Sequence, residues 1–265
     1  RKKKQEPGAP PVTDVLAKFK VAQTYWGPLH NQMESGNKVF NLELPVVAPA
    51  GYNVIYPGTG NTVVMTAADH ITGDAPKVQV PEAGLKKDAQ RRSEALEKGL
   101  QAALYRFDAT TTENTQRTIV INGLWSGMMV SQGPIFNGEA WGLEPVQDDA
   151  KTYAEYDSYD DAVKGYETDK RVNWAFLWWA PDPRHVYPDP GTTGKKWVIV
   201  HFQRIVGEIR AQWPQAKLNG SDGKPIADDV KQDWYEYWDE SFRVYIAGNE
   251  VLDARPHRYG KPPFQ

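Results

Sequence analysis

The chain has 265 residues, 40% of them hydrophobic, with a net charge of −3 and no cysteine. That length holds one large domain or two small ones with a buried core, and the missing cysteine excludes disulfides, thiolate metal sites and cysteine nucleophiles while fitting a reducing compartment. The near-neutral charge argues against a strongly basic nucleic-acid binder over the whole length, and no apolar run approaches the ~20 residues of a membrane span.

Arg1-Lys2-Lys3-Lys4, followed by Pro7, Gly8, Pro10 and Pro11, forms a basic, helix-poor tail over residues 1–13. It reads as a flexible, solvated terminus or as an arm for nucleic acid or an acidic partner. The chain opens on Arg1 rather than Met, as a fragment or processed form does, and shows no signal peptide. Val15, Leu16, Phe19, Ala22 and Trp26 then lie near one face of a helix expected over 13–33. Thr13 or Asp14 would cap it, and Gly27-Pro28 would break or kink it.

Residues 41–81 are rich in Pro and Gly, with short apolar runs at Val46-Val47, Val54-Ile55-Tyr56, Val63-Val64-Met65 and Val78–Val80. They read as loops and short strands. Gly58 and Gly60 are not followed by Lys-Ser/Thr, so no phosphate loop is present. Asp69-His70 reads as a capping or surface pair rather than a metal site.

The spacing predicts a helix over 85–107, with Leu96, Leu100, Leu104 and Phe107 on one buried stripe. Its charged residues, among them Arg91, Arg92, Glu94, Glu97 and Lys98, make the wet side. Gly99 would serve close packing there. Residues 114–130 read either as a buried helix or, through Thr118-Ile119-Val120-Ile121, as a strand. Ser126 sits in Trp-Ser-Gly rather than in a nucleophile elbow.

Residues 137–170 form an acidic insertion, with Asp148-Asp149, Glu155, Asp157, Asp160-Asp161, Glu167 and Asp169 among Tyr153, Tyr156, Tyr159 and Tyr166. A polar surface segment explains it. Carboxylates suit calcium, but their spacing does not match an EF-hand loop.

From residue 171 the chain becomes β-rich. Trp174–Trp179 is an aromatic run of strand length, and Pro181–Gly191 holds two Pro-Asp-Pro breaks. Residues 197–202 form a second strand. A short helix then carries Ile205, Ile209 and Trp213 on one stripe, stopped by Pro214. Residues 218–227 are a polar turn region with Asn219-Gly220 and Asp222-Gly223. A strand from Asp233 to Asp239 leads into a hairpin of 242–247 and 250–252, turning at Gly248-Asn249. The fold class is therefore α+β, a helical N-terminal half packed with a mixed, mainly antiparallel β region.

The order of these phrases resembles the portal proteins of tailed bacteriophages. Asp182-Pro183-Arg184-His185-Val186-Tyr187-Pro188-Asp189-Pro190 matches the family's aspartate–proline loop, which lies between two strands and before a short helix ending in Trp-Pro. Tyr25-Trp26-Gly27-Pro28, His70-Ile71 before Pro76–Val80, the Trp234–Trp238 strand and the closing His257–Phe264 stretch follow in the family's order. The resemblance covers residues 13–265, and it favours helix over strand for 114–130.

What the resemblance implies is a wing-like region over 14–265, mainly helical to about 135. It implies a dodecameric ring at one capsid vertex of the virion, assembled in the host cytoplasm. The terminase motor would pump double-stranded DNA through the ring without sequence preference. The major capsid protein, a head–tail adaptor and neighbouring copies would be the other partners. The stem, clip and tunnel loop would follow residue 265. Neither enzymatic activity, cofactor, metal nor membrane contact is implied. At most, Arg1–Lys4 would touch DNA weakly.

A different class competes. Glu236, Asp239 and Glu240 beside Trp234 and Trp238 could make a carboxylate pair with stacking rings, as in a glycan-active or glycan-binding protein. His30, His70, His185, His201 and His257 are dispersed, in no ligand spacing. Ten Trp and thirteen Tyr are a large aromatic supply for cores and for contacts between subunits.

Overall fold

The computed structural model describes residues 8–43, 50, 58–74, 77–81, 87–110, 114–152, 154–191, 196–220 and 223–265. Among them the chain is α+β, with helices ahead of a mainly antiparallel β region. It divides into two units: residues 1–64, 122–130 and 181–265 form the first, and residues 65–121 and 131–180 the second.

The first unit is built on a five-stranded antiparallel sheet in simple sequence order. Its strands are β3 (Val186–Pro188), β4 (Val198–Ile205), β5 (Lys231–Trp238), β6 (Phe242–Ala247) and β7 (Glu250–Pro256). Alternation sets its two faces. Ile199 of β4, Tyr235 and Tyr237 of β5, and Val244 and Ile246 of β6 meet Val15, Phe19 and Ala22 of helix α1 (Val12–Phe40). Trp234 and Ala247 point the other way, with Val206 and Ile209 of helix α6 (Val206–Gln212) and Leu218. Both faces of the sheet are thus covered. Gly248, at φ 58, takes the first place of the two-residue turn between β6 and β7, where a type II′ turn calls for glycine.

Helix α1 corrects two expectations. Neither Thr13 nor Asp14 is its cap: the cap position falls to Pro11, which makes no side-chain cap bond. Gly27-Pro28 does not end the helix, which runs on to Phe40 with Pro28 inside. Packing on both sides of the proline offsets its missing donor. Trp26 Nε1 donates to the Pro188 carbonyl at 2.8 Å, and Met33 is buried further along. At Gly36 the helix comes so close to the Trp125 carbonyl that a Cβ would lie 2.6 Å from it.

Helix α2 (Thr59–Thr72) stands where loops and short strands were expected. Asn61 bonds the Phe40 carbonyl at its start, and Val63-Val64-Met65 belong to helix rather than strand. Val46-Val47 and Val54-Ile55-Tyr56 lie outside the described residues. In the second unit, helix α3 (Lys87–Thr110) has the expected extent, but only the end of its expected stripe, half-buried Leu104 and buried Phe107, is turned inward. Phe107 is buried, whereas Leu96 and Leu100 are 56% and 48% exposed. The inward face is polar. Ser93 donates to the Val80 carbonyl, Glu97 accepts from Val80 N–H at 2.9 Å, and Gln101 accepts from Val78 N–H at 3.3 Å. Residues 77–81 belong to no strand; the helix side chains bond the backbone of Val78 and Val80 instead. Gly99 meets nothing within 4 Å, so it serves no close packing.

Residues 115–126 are helical (α4, Thr115–Ser126), which decides between the two readings of that segment. Strands β1 (Gln132–Phe136) and β2 (Phe176–Trp179) form a separate antiparallel pair, so the strand expected from Trp174 starts at Phe176. Gly133 lies against β2, where a Cβ would be 2.6 Å from the Leu177 carbonyl. The acidic segment contains helix α5 (Tyr159–Val172), whose first turn is capped by the Ser158 hydroxyl accepting from Asp161 N–H. Helix α6 starts one residue later than its expected stripe: Ile205 ends β4 and is 38% exposed, and Trp213 is the C-cap.

Candidate functional site

The Asp182–Pro190 loop is a clamp on α1, and short-range sequence explains much of it. Asp182 bonds the Arg184 N–H at 2.9 Å, closing a tight turn of residues 183–185 with Pro183 at its first position. The same carboxylate takes the Arg184 guanidinium at 3.1 Å through Nε and at 2.6 Å through Nη2. Arg184 Nη1 reaches Glu34 of α1 at 2.8 Å, and the guanidinium lies 5.6 Å from the Trp125 ring centroid. A planar, two-pronged donor is the group this geometry requires. Burial alone would raise the Asp182 pKa, but the Arg184 contacts outweigh it and the net shift is downward. The Arg184 pKa is raised, first by its bond to Asp182.

Behind the clamp lies an aromatic and imidazole cluster. Tyr187 of β3 meets Phe19 at 5.0 Å and His30 at 4.6 Å, both edge-on. His201 of β4 stacks on Tyr235 at 4.7 Å and faces Asp233 at 3.3 Å. Burial lowers the pKa of His30, with the Val186 backbone opposing it only in part, and neither ring nitrogen makes a hydrogen bond of full geometry. Burial likewise lowers His201 more than Asp233 raises it, and His185 adds to the lowering at both positions. Tyr235 is pushed up to about 12, chiefly by burial. The cluster therefore holds α1 on the sheet with uncharged rings at neutral pH. Among the described residues no group of His, Asp and Glu is arranged to hold a metal ion.

The carboxylates singled out in the sequence do not converge. Glu236 accepts from Trp238 Nε1 at 2.6 Å. Asp239 caps the turn after β5, accepting from Ser241 and Phe242 N–H at 2.8 and 2.7 Å and from the Tyr237 hydroxyl at 3.1 Å. Tyr237 belongs to the α1 face and Glu236 to the other, while Glu240 is exposed. Trp234 and Trp238 are 3% and 1% exposed, so neither offers a ring to a glycan. Asp69 pairs with Arg117 at 2.8 Å rather than acting with His70. Ser126 bonds the Asn122 and Met128 backbones.

A second feature escaped the sequence reading. The acidic segment forms a cleft of about 400 Å³, lined by Trp141, Leu143, Tyr156, Tyr166, Glu155 and Asp169 among others. Gly165 lets Tyr156 lie across α5, since a Cβ there would sit 2.7 Å from the phenol oxygen. Lys170 lies 4.6 Å from the Tyr166 centroid and 5.7 Å from that of Trp141, and it pairs with Glu167 at 2.9 Å. The alternation of Tyr and acids was the available signal; the concavity depends on how residues 141–156 pack on α5.

Among the described residues, no helix is long and apolar enough to cross a membrane. No family model matches the chain, and no curated protein matches it either.

Proposed function

We propose that the chain is a structural subunit of a bacteriophage portal ring, at the capsid vertex through which DNA enters and leaves and to which the tail attaches. The observation that carries this reading is the placement of apolar side chains in the second unit. Leu96, Leu100, Tyr105, Leu143 and Val172 are exposed, and large apolar and aromatic side chains left outside a core are what contacts between subunits use. The order of phrases narrows the partner. A clamped Asp-Pro loop joins two strands, a short helix ends at Trp213-Pro214, an aromatic strand and hairpin follow, and Pro262, Pro263 and Phe264 are buried at the close. This is the order that resembles the portal wing.

On this reading the partners are neighbouring copies, the major capsid protein, the terminase motor, a head–tail adaptor and passing DNA. DNA contact is weak, salt-sensitive and indifferent to sequence, since a near-neutral chain does not hold phosphates through extensive counterion release. The protein turns over no substrate. The test is electron microscopy of the full-length protein in its native assembly. A closed ring is the expected result; a two-fold complex, or tight sequence-specific DNA binding by the chain, overturns the reading. Hydrolysis of a glycan would favour the competing class, although Glu236 is bonded to Trp238 and Asp239 is taken up in the turn after β5.

A further inference from the structure

Two surfaces of the second unit are complementary in chemistry. One is a ridge on α3. Arg92, Leu96 and Leu100 stand at i, i+4 and i+8, so they share one face of the helix. Both leucines are about half exposed, and Arg92 is exposed with no ion-pair partner among the described residues. The ridge is held in place from behind, because Ser93, Glu97 and Gln101 are bonded to the 78–80 backbone. The other surface is the cleft on the acidic segment, with its rings Trp141, Tyr156 and Tyr166 and the 74%-exposed Leu143. Its lining carries Glu155 and Asp169 against Lys151 alone. Nearby acids Asp161 and Glu167 are already matched by Lys164 and Lys170, whereas no cation pairs with Glu155 or Asp169 among the described residues.

We infer that the Arg92–Leu96–Leu100 ridge of one copy seats in the aromatic cleft of the next copy, with the guanidinium on Glu155 and Asp169. This rests on the ring reading and names its contact. The leucines supply apolar area to rings that already face solvent, and a desolvated Arg–carboxylate contact fixes the register. The ridge and the cleft are different surfaces of one chain. The contact is therefore head-to-tail and propagates from copy to copy until it closes, unless two copies reciprocate it about a two-fold axis, each ridge in the other's cleft.

The test is disulfide trapping in the full-length protein. Residues 1–265 hold no cysteine, so the introduced thiols are the only ones in this part, and any cysteine elsewhere in the full-length protein is first replaced by serine. Leu96→Cys and Leu143→Cys subunits, mixed and oxidised, are expected to give a linked pair that neither gives alone, and the double variant is expected to give a ladder of linked copies. Arg92→Glu is expected to cut trapping by about tenfold or more, and Asp169→Lys in the same chain to restore it. Rings in micrographs without trapping between 96 and 143 overturn the contact and leave the ring reading standing. Trapping confined to closed pairs supports the contact and overturns the ring. Trapping unchanged by Arg92→Glu overturns the assignment of Arg92 to the cleft carboxylates.

Discussion

The two units place their apolar side chains differently. In the first, Val15, Ile199, Tyr237, Trp238, Val244 and Ile246 are at most 1% exposed, and helices cover the sheet on both sides. In the second, Phe107 and Ile135 are the largest apolar side chains buried among the described residues, and the others so buried are Pro145 and three alanines. Buried apolar area is the main favourable term in folding. The first unit therefore carries its own stability. The second holds its helix partly through polar bonds to the backbone at Val78 and Val80, and it leaves Leu96, Leu100 and Leu143 exposed.

The largest expected effects lie in the first unit. Trp238→Ala removes a side chain that is 1% exposed and stacked near Arg243 and His257. It is expected to cost about 3–5 kcal/mol by equilibrium urea unfolding. A loss below about 1 kcal/mol would break the comparison, because the sheet core would then not be the source of stability.

Next comes the clamp. Arg184→Ala leaves Asp182 and Glu34 without their donor. Asp182 is 31% and Glu34 48% exposed, so solvent screening trims the effect to about 1–3 kcal/mol. Arg184→Lys keeps the charge but cannot bond both Asp182 oxygens in one plane, and should fall between wild type and alanine. An equal loss in both variants would show that the fork geometry, rather than the charge, is what matters.

A smaller effect is set by pH. His30, His201 and His257 have pKa values lowered by burial in the folded state. The unfolded chain then binds more protons than the folded one once the pH falls below the ordinary histidine value of about 6.5. Stability from these groups is full above that value and declines as pH falls toward the folded pKa values. Asp182 is lowered as well, so its contribution declines only further down, below the usual carboxylate range. Urea midpoints measured from pH 7.5 to 5 should fall, and His30→Phe, which keeps the edge contact to Tyr187, should flatten that fall. A flat wild-type profile would mean that α1 leaves the sheet before the rings protonate.

Much of the first unit was legible in the sequence. Alternating Trp and Tyr in β5, the β-branched run of β4, the Gly248-Asn249 turn and the Pro214 stop are local signals with local consequences. The break at Pro181-Asp182-Pro183 was legible for the same reason, but the Asp182–Arg184 bonds that close it were not read. Nor was the tie of Arg184 to Glu34, since those residues are 150 apart in the chain. Helix α2 was hidden by Gly58, Gly60 and the β-branched pair Val63-Val64, whose propensities tertiary context overrides. The orientation of α3 was hidden more deeply. Hydrophobic periodicity assigns the leucines inward, but it has no access to a polar ladder at 93, 97 and 101 whose partners are backbone groups 13 to 23 residues away.

The smallest expected effect follows from that difference. Were Leu100 inside, Leu100→Ala would cost about 2–5 kcal/mol. It is 48% exposed, and alanine is the better helix former, so the isolated chain should change by no more than about 0.5 kcal/mol in either direction. The same substitution in the assembly removes apolar area from a ridge that, on the reading above, lies in a neighbour's cleft. Unfolding of the dilute chain and dissociation of the assembly should therefore respond differently to one mutation. A loss of several kcal/mol in the dilute chain would place Leu100 in a core and return the second unit to the same standing as the first. No effect on either measurement would leave the leucines as surface residues without a partner. An effect on dissociation alone is the outcome that ties the thin core of the second unit to its place among other copies.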